Sequence, residues 1–174
     1  MRIEILSPAD LSAALPDLTE ILHQTVHHGA SVGFILPFEV SDARAFWTDQ
    51  VFPAVERGAT QLFVARGNDG IVGTAQLGLS LPSNQKHRAD VMKLLVHPNA
   101  RRQGIGRLLM QELLDRARTL GKDLLVLDTR SGDPSQSLYQ SLGFKVAGQI
   151  PGFCRNPRDP ILEATTYMYK TLAS

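Results

Sequence analysis

Leu94-Leu95-Val96-His97-Pro98-Asn99-Ala100-Arg101-Arg102-Gln103-Gly104-Ile105-Gly106-Arg107 decides the fold. Arg88 to Val96 reads as a strand, and a loop of about seven residues separates it from a helix over Gly104–Leu120. Ile105, Leu108, Leu109, Leu113, Leu114, Ala117 and Leu120 recur at helical spacing and line one face. Gly121 stands where a helix-terminating glycine belongs, and Lys122 suits the negative end of the helix dipole. Leu124–Thr129 follows as an unbroken apolar run, the pattern of a strand buried on both faces. Val91 to Thr129 is therefore a strand–helix–strand unit, with parallel strands joined in the right-handed sense.

Working outward, Arg2–Leu6 reads as a short strand and Leu11 to Val26 as a helix, with Pro16 marking a break or a new first turn. Ser41 followed by Asp42 is an N-cap for a second helix carrying Ala45, Phe46 and Phe52, which Pro53 ends or bends. Leu62-Phe63-Val64-Ala65 and Ile71 to Leu81 form a hairpin about the turn Asn68-Asp69-Gly70. Beyond the apolar run, Ser135–Leu142 is a short helix ending at Gly143, and strands follow near Val146–Ile150 and Thr165–Tyr169. The order is β-α-α-β-β-β-α-β-α-β-β. That order predicts an α/β fold: one domain over residues 1–174, with a mixed central sheet flanked by helices.

Composition bounds the function. The 174 residues suit about one domain, and 43% hydrophobic with 20% charged residues is ordinary for a globular chain with a real core. Lys and Arg number 18 against 17 Asp and Glu, a net charge of +1 that argues against a nucleic-acid binder. The charge is uneven: residues 86–107 hold Lys86, Arg88, Lys93, Arg101, Arg102 and Arg107 against Asp90 alone. A compact basic patch on a near-neutral chain suits a small anionic ligand better than a polymer. The lone Cys154 cannot make an intrachain disulfide, and Met1-Arg2-Ile3-Glu4-Ile5-Leu6 is too short and charged for a signal peptide. No apolar run approaches a membrane span, so a cytoplasmic protein without a membrane partner is expected. Five histidines without ligand-like clustering predict no metal site.

The glycine loop invites a phosphate. Glycine lets backbone approach a ligand closely, and a helix N-terminus offers unpaired N–H groups with the positive end of the dipole. With Arg101, Arg102 and Arg107, the segment Arg101 to Arg107 can cradle a pyrophosphate, although residue by residue it is equally an ordinary helix start. Two other phosphate loops are excluded. A dinucleotide fingerprint needs glycine where Leu109 stands, and a P-loop needs Gly-Lys-Ser/Thr where the chain has Gly106-Arg107-Leu108.

Arg101-x-x-Gly104-x-Gly106, the preceding Leu94-Leu95-Val96 and the downstream Leu138-Tyr139-x-x-Leu142-Gly143-Phe144 together resemble the GNAT superfamily of N-acetyltransferases. The resemblance spans the whole chain, strand order included, and implies acetyl-CoA as cosubstrate. It assigns the pantetheine arm to Leu94, Leu95 and Val96, with the Val96 N–H able to polarise the thioester carbonyl. It assigns the pyrophosphate to Arg101, Arg102, Gln103, Gly104, Ile105, Gly106 and Arg107, with Ser135 as a further cofactor contact. Leu22 to Phe34, Arg88-Ala89-Asp90-Val91, Leu127-Asp128-Thr129 and Pro151-Gly152-Phe153-Cys154 are more narrowly similar to the tabtoxin-resistance acetyltransferases, which acetylate a β-lactam amino-acid toxin.

Acetyl transfer needs an acceptor for the ammonium proton and a donor for the departing thiolate. Freeing a lysine-like amine of pKa ~10.4 at pH 7 costs about 4.6 kcal/mol, and an α-amine of pKa ~8 about 1.4 kcal/mol. Asp90 and Asp128 interrupt apolar strands, where a bare carboxylate is costly unless paired or functional. Either can instead bind an arginine such as Arg88 or Arg130, or cap a loop. Asp90 stands 14 residues before Gly104, where the resemblance places a catalytic glutamate. Asp128 matches a second acidic position of the tabtoxin-resistance type. Asp90 and Asp128 are thus the candidate bases and Tyr139 the candidate acid, its other reading being a packing residue. His28, Ser31 and Phe34 are expected at the acceptor pocket, with His27, Trp47 and Phe153 as further wall candidates. The other reading is a solvated helix end for the two histidines and core packing, the commoner role of an aromatic at helical spacing, for Phe34, Trp47 and Phe153. A small-molecule amine is the expected partner, and exposed strand edges near the C-terminus leave room for a homodimer. The alternatives are a protein N-terminus, lysine side chain or polyamine as acceptor, a non-catalytic CoA-binding sensor, or the same fold without CoA.

Overall fold

The computed structural model describes residues 1–172; residues 173 and 174 of the expected domain lie outside them. β1 (Arg2–Ile5) leads to α1 (Leu11–His27), α2 (Val40–Ala45), a π-helical turn (Phe46–Val51) and α3 (Phe52–Glu56). β2 (Thr60–Arg66), β3 (Ile71–Gly78) and β4 (Arg88–Val96) form an antiparallel meander. α4 (Ile105–Thr119), β5 (Leu124–Arg130), α5 (Pro134–Ser141), β6 (Lys145–Arg155) and β7 (Leu162–Thr171) complete the chain. α2, the π-helical turn and α3 run on without a break over Val40–Glu56, and counted as one helix they give the expected element order.

Four details differ from the sequence reading. Pro16 lies inside α1 without breaking it, because its ring and Ser12, whose carbonyl it cannot bond, both sit on the exposed face. The second helix starts two residues earlier than an N-cap at Ser41 implies. Glu39 is its N-cap residue, and the Asp42 carboxylate accepts the Glu39 N–H at 2.8 Å. The returning hairpin strand stops at Gly78 rather than Leu81. The last two strands run well past their apolar centres, since β6 pairs along β7 through register shifts between Val146 and Gly148 and between Ile150 and Cys154.

One mixed sheet, in the order β1-β2-β3-β4-β5-β7-β6, organises the molecule. Strand alternation divides the core between its faces. Leu62 and Val64 of β2 pack with Leu18, Leu22 and Trp47, whereas Phe63 and Ala65 pack with Leu109 and Leu113 of α4. Full burial of each such leucine contributes about 1.5–3 kcal/mol, which pins the helices to the sheet. β4 and β5 are parallel, as the strand–helix–strand unit requires, but they pair only from Arg88 with Leu124 to Asp90 with Val126. Beyond that point the strands part. β5 remains paired to β7 as far as Arg130, while the β5-facing edge of β4 from Val91 onward has no strand partner among the described residues. The split opens the sheet at its centre.

Candidate active site

A cavity of about 770 Å³ fills the split, within the range of small-molecule sites. The open edge of β4 forms one wall, with Leu94, Leu95 and Val96 lining it. Arg101, Arg102 and Ile105 close one end; the loop His28–Gly33 and Cys154 reach the other. Asp128, Ser135 and Tyr139 line it between β5 and α5.

The two glycines of the loop do different work. Gly104 caps α4 at φ +78 with open space around it, so the backbone conformation requires it. Arg102 adopts a left-handed φ of +64 as well, which coils the loop tightly onto the helix N-terminus. Gly106 is helical, and a Cβ there would stand 3.3 Å from Leu138 Cδ2, so a side chain at this position presses on α5. Not every basic residue of the patch faces the cavity. Arg107 donates to Ser141 Oγ at 2.8 Å and ties α4 to α5, and Arg101 Nε donates to the Val96 carbonyl at 3.2 Å. Gln103, Gly104, Gly106 and Arg107 shape the loop without lining the cavity. Ser135 does line it, its hydroxyl 2.8 Å from that of Thr129.

The two candidate bases have different surroundings. Asp90 is ion-paired with Arg88, which also bonds Gln85 Oε1. It lines a smaller cavity of about 260 Å³ rather than the main one. Asp128 lines both cavities, and its Oδ2 accepts the Thr165 hydroxyl at 2.9 Å. The arginine beside it does not pair with it. Arg130 is held instead by Asp133 at 2.7 Å and Glu163 at 3.3 Å. Of the two readings for each aspartate, the arginine partner thus applies to Asp90 and not to Asp128.

Tyr139 is buried, 6% exposed, and its ring packs against Phe144 at a centroid distance of 5.8 Å. Burial first, then the carboxylates of Asp128 and Asp133, push its phenol well above the ordinary range, so it stays protonated. The packing and acid readings are therefore compatible, since the same residue belongs to the core and borders the cavity.

On the acceptor side His28 and Ser31 line the cavity, and Ser31 Oγ lies 3.3 Å from Cys154 Sγ. His28 Nδ1 bonds the Gln24 carbonyl at 2.7 Å, and His27 Nε2 the Phe38 carbonyl at 2.9 Å. Phe34 lies one layer behind the wall, packed on Phe38 and Phe46. Trp47 is wholly buried with its indole N–H on the Leu18 carbonyl, so it belongs to the core and not the pocket. Phe153 does line the cavity and meets Tyr167 edge-on. Among the described residues no cluster of His, Cys, Asp and Glu could hold a metal, and no helix is long and apolar enough to cross a membrane.

Lys93 is the cavity residue that sequence reasoning counted only as charge. It sits at a β4 bulge, where Lys93 and Leu94 together face Ala75 between the pairs Thr74–Leu95 and Gln76–Met92. Its φ of +49 is a left-handed conformation. One signal for it was available: a lysine in the middle of the apolar run Val91–Val96.

The Acetyltransferase (GNAT) family model matches residues 24–144. The chain is 30% identical to the L-amino acid N-acyltransferase MnaT of Escherichia coli over 132 residues, covering 70% of this chain and 77% of that protein. It is 28% identical over 152 residues to an L-methionine sulfoximine/L-methionine sulfone acetyltransferase of Salmonella typhimurium, covering 87% and 84%. A Salmonella typhimurium acetyltransferase solved with its cofactor acetyl-CoA superposes with a TM-score of 0.79 at 26% identity, covering 100% of this chain and 95% of that one.

Proposed function

The chain belongs to the acetyltransferase (GNAT) family, and from that premise we propose that it moves the acetyl group of acetyl-CoA to the amine of a small, amino-acid-like molecule by direct attack in a ternary complex. The observation that carries this reading is the split between β4 and β5. It brings an open strand edge, a helix N-terminus with two arginines, a carboxylate free of arginine and a protonated phenol to one cavity. The residues fit the cosubstrate. The unpaired edge of Leu94 to Val96 can bond its pantetheine amides as a further strand would, and the start of α4 with Arg101 and Arg102 suits its pyrophosphate.

In the proposed reaction Asp128 takes the ammonium proton, and the Val96 N–H polarises the thioester carbonyl. The amine nitrogen then bonds to the acetyl carbon, the carbon–sulfur bond breaks, and Tyr139 donates its proton to the thiolate, while the second proton that the nitrogen sheds as the amide forms restores the phenol. A phenol raised above its usual pKa donates less readily. The same apolar surroundings raise the thiol too, because burial disfavours both anions, so the two stay closer than the phenol's shift alone implies. Asp90, neutralised by Arg88, serves as a second carboxylate linked to the site through the adjoining cavity.

Amino-acid acceptors are favoured by the activities named for the two relatives, and an amino-acid-like β-lactam toxin of the tabtoxin-resistance type is the narrower reading. The proposal places the reaction in the cytoplasm, in one catalytic domain. Exposed Val146, Ile150 and Ile161 on the outer β6–β7 hairpin favour a homodimer. Initial-velocity kinetics test the direct attack. Intersecting double-reciprocal lines, retained in Cys154→Ala, are expected; parallel lines lost with Cys154 would mean an acetyl-enzyme instead.

A further inference from the structure

The acceptor end of the cavity carries a cation for which neither the fold nor the proposed chemistry accounts. Lys93 Nζ donates to the Val32 carbonyl at 2.6 Å and lies 5.6 Å and 5.5 Å from the ring centroids of Phe34 and Phe46. Among the described residues no carboxylate lies within ion-pair distance of it. The other cations near this cavity are differently placed. Arg130 is paired with Asp133 and Glu163, and Arg101 and Arg102 belong to the loop at the opposite end.

A half-buried ammonium without a counter-charge is costly, and one carbonyl and two ring faces offset only part of that cost. Pinning the Val32 loop needs a single neutral donor, whereas an ammonium has three N–H groups. The bulge adds a second cost. A left-handed φ at a non-glycine residue persists where the side chain must be re-aimed, and here the re-aimed side chain lines the cavity that Asp128 also lines. Burial lowers the Lys93 pKa and the Asp128 carboxylate opposes that shift, so the two charges sense one another across the cavity.

We infer that Lys93 is a specificity-determining residue that binds the α-carboxylate of the acceptor, while Asp128 receives its α-ammonium, so that the site takes free α-amino acids as zwitterions. This rests on the acetyl-transfer reading and narrows it. A fixed cation beside the reacting amine repels a second ammonium, which sets the site against polyamines. It equally disfavours acceptors whose α-carboxyl is blocked, including the residue at a protein N-terminus.

The test compares kcat/KM for L-methionine sulfone and its carboxamide in the wild type, Lys93→Met and Lys93→Arg, with a thermal melt of each. A charged hydrogen bond predicts a wild-type preference for the free acid of roughly 10- to 150-fold. The ratio falls toward one in Lys93→Met and survives in part in Lys93→Arg. An unchanged ratio in Lys93→Met, or equal use of acid and carboxamide by the wild type, overturns the inference. If Lys93→Met does not fold, the wild-type ratio and Lys93→Arg decide. Turnover of spermidine or a peptide, with both methionine probes refused, overturns the role of Lys93 and leaves acetyl transfer standing. Refusal of every amine by a protein that binds acetyl-CoA overturns the activity, and this inference with it.

Discussion

Asp128→Asn separates chemistry from architecture more cleanly than any other substitution in the site. Asparagine keeps the shape and an oxygen that can accept the Thr165 hydroxyl, now 2.9 Å from Asp128 Oδ2. No ion pair is broken, because Arg130 already has Asp133 and Glu163. Asp128 is also exposed, so the change in stability should stay within about 0.5 kcal/mol. The rate should not be spared. The α-amine of a free amino acid, whose own carboxylate lifts its pKa to about 9 from the ~8 of a chain terminus, is roughly one-hundredth neutral at pH 7, so losing the base costs about 100-fold from the amine's ionisation alone. Loss of an aligned proton acceptor brings the total into the general-base range of roughly 100- to 10,000-fold. That factor returns in bulk solution toward pH 10, where the same amine is about nine-tenths neutral. Steady-state acetylation from pH 6 to 10 should therefore rise about one log unit per pH unit in Asp128→Asn, levelling near pH 9, over a flatter wild-type profile. A variant within about threefold of wild type, with the same profile, would refute Asp128 as the base.

Four further outcomes are expected. Tyr139→Phe keeps the packing against Phe144 but removes the protonated hydroxyl, so turnover should fall by about tenfold or more while calorimetric binding of acetyl-CoA is nearly unchanged. Gly104→Ala forces a Cβ into φ +78 and should cost about 1–2 kcal/mol, a fall in Tm of roughly 2–8 °C by scanning calorimetry. Gly106→Ala should cost less, because the tip of Leu138 can yield. Lys93→Met should change stability in a pH-dependent way, in an alkaline window rather than the acid window of a carboxylate. Burial lowers the Lys93 pKa, so between that value and its ordinary one near 10.5 the unfolded chain holds more protons. Wild-type stability gains from rising pH in that window, and any stability advantage of Lys93→Met in urea melts should be largest at neutral pH and shrink toward pH 10.

The fold was legible because its signals are local and mutually consistent. The helical stripe from Ile105 to Leu120, the apolar run after it and the hairpin turn each have one good structural solution, and the right-handed crossover joins them in one way. The elements misplaced by sequence reasoning are those where tertiary context outweighs propensity. Pro16 is tolerated because one helix face is solvated, and β6 is extended by its pairing with β7 rather than by its own pattern. In the site, residue identities pointed to Asp128, Tyr139, Arg101 and Arg102, which the fold brings to one cavity. They could not show that Arg88 takes up Asp90, that Arg107 turns away to Ser141, or that Trp47 lies in the core. Lys93 escaped notice for a geometric reason. Its aim depends on a one-residue bulge in β4, and a bulge is a property of the pairing between two strands rather than of either sequence.

The central claim is that the split sheet carries out acetyl transfer from acetyl-CoA to an amino-acid-like amine. It is tested most directly by following acetyl-CoA-dependent thiol release across free α-amino acids, an amino-acid β-lactam, polyamines, aminoglycosides and a short peptide, with the acetylated product identified by mass spectrometry. Release confined to the free amino-acid class, abolished in Asp128→Asn at pH 7, is the predicted result. Bound acetyl-CoA with no release from any amine, or release that follows the polyamines or the peptide instead, would contradict it.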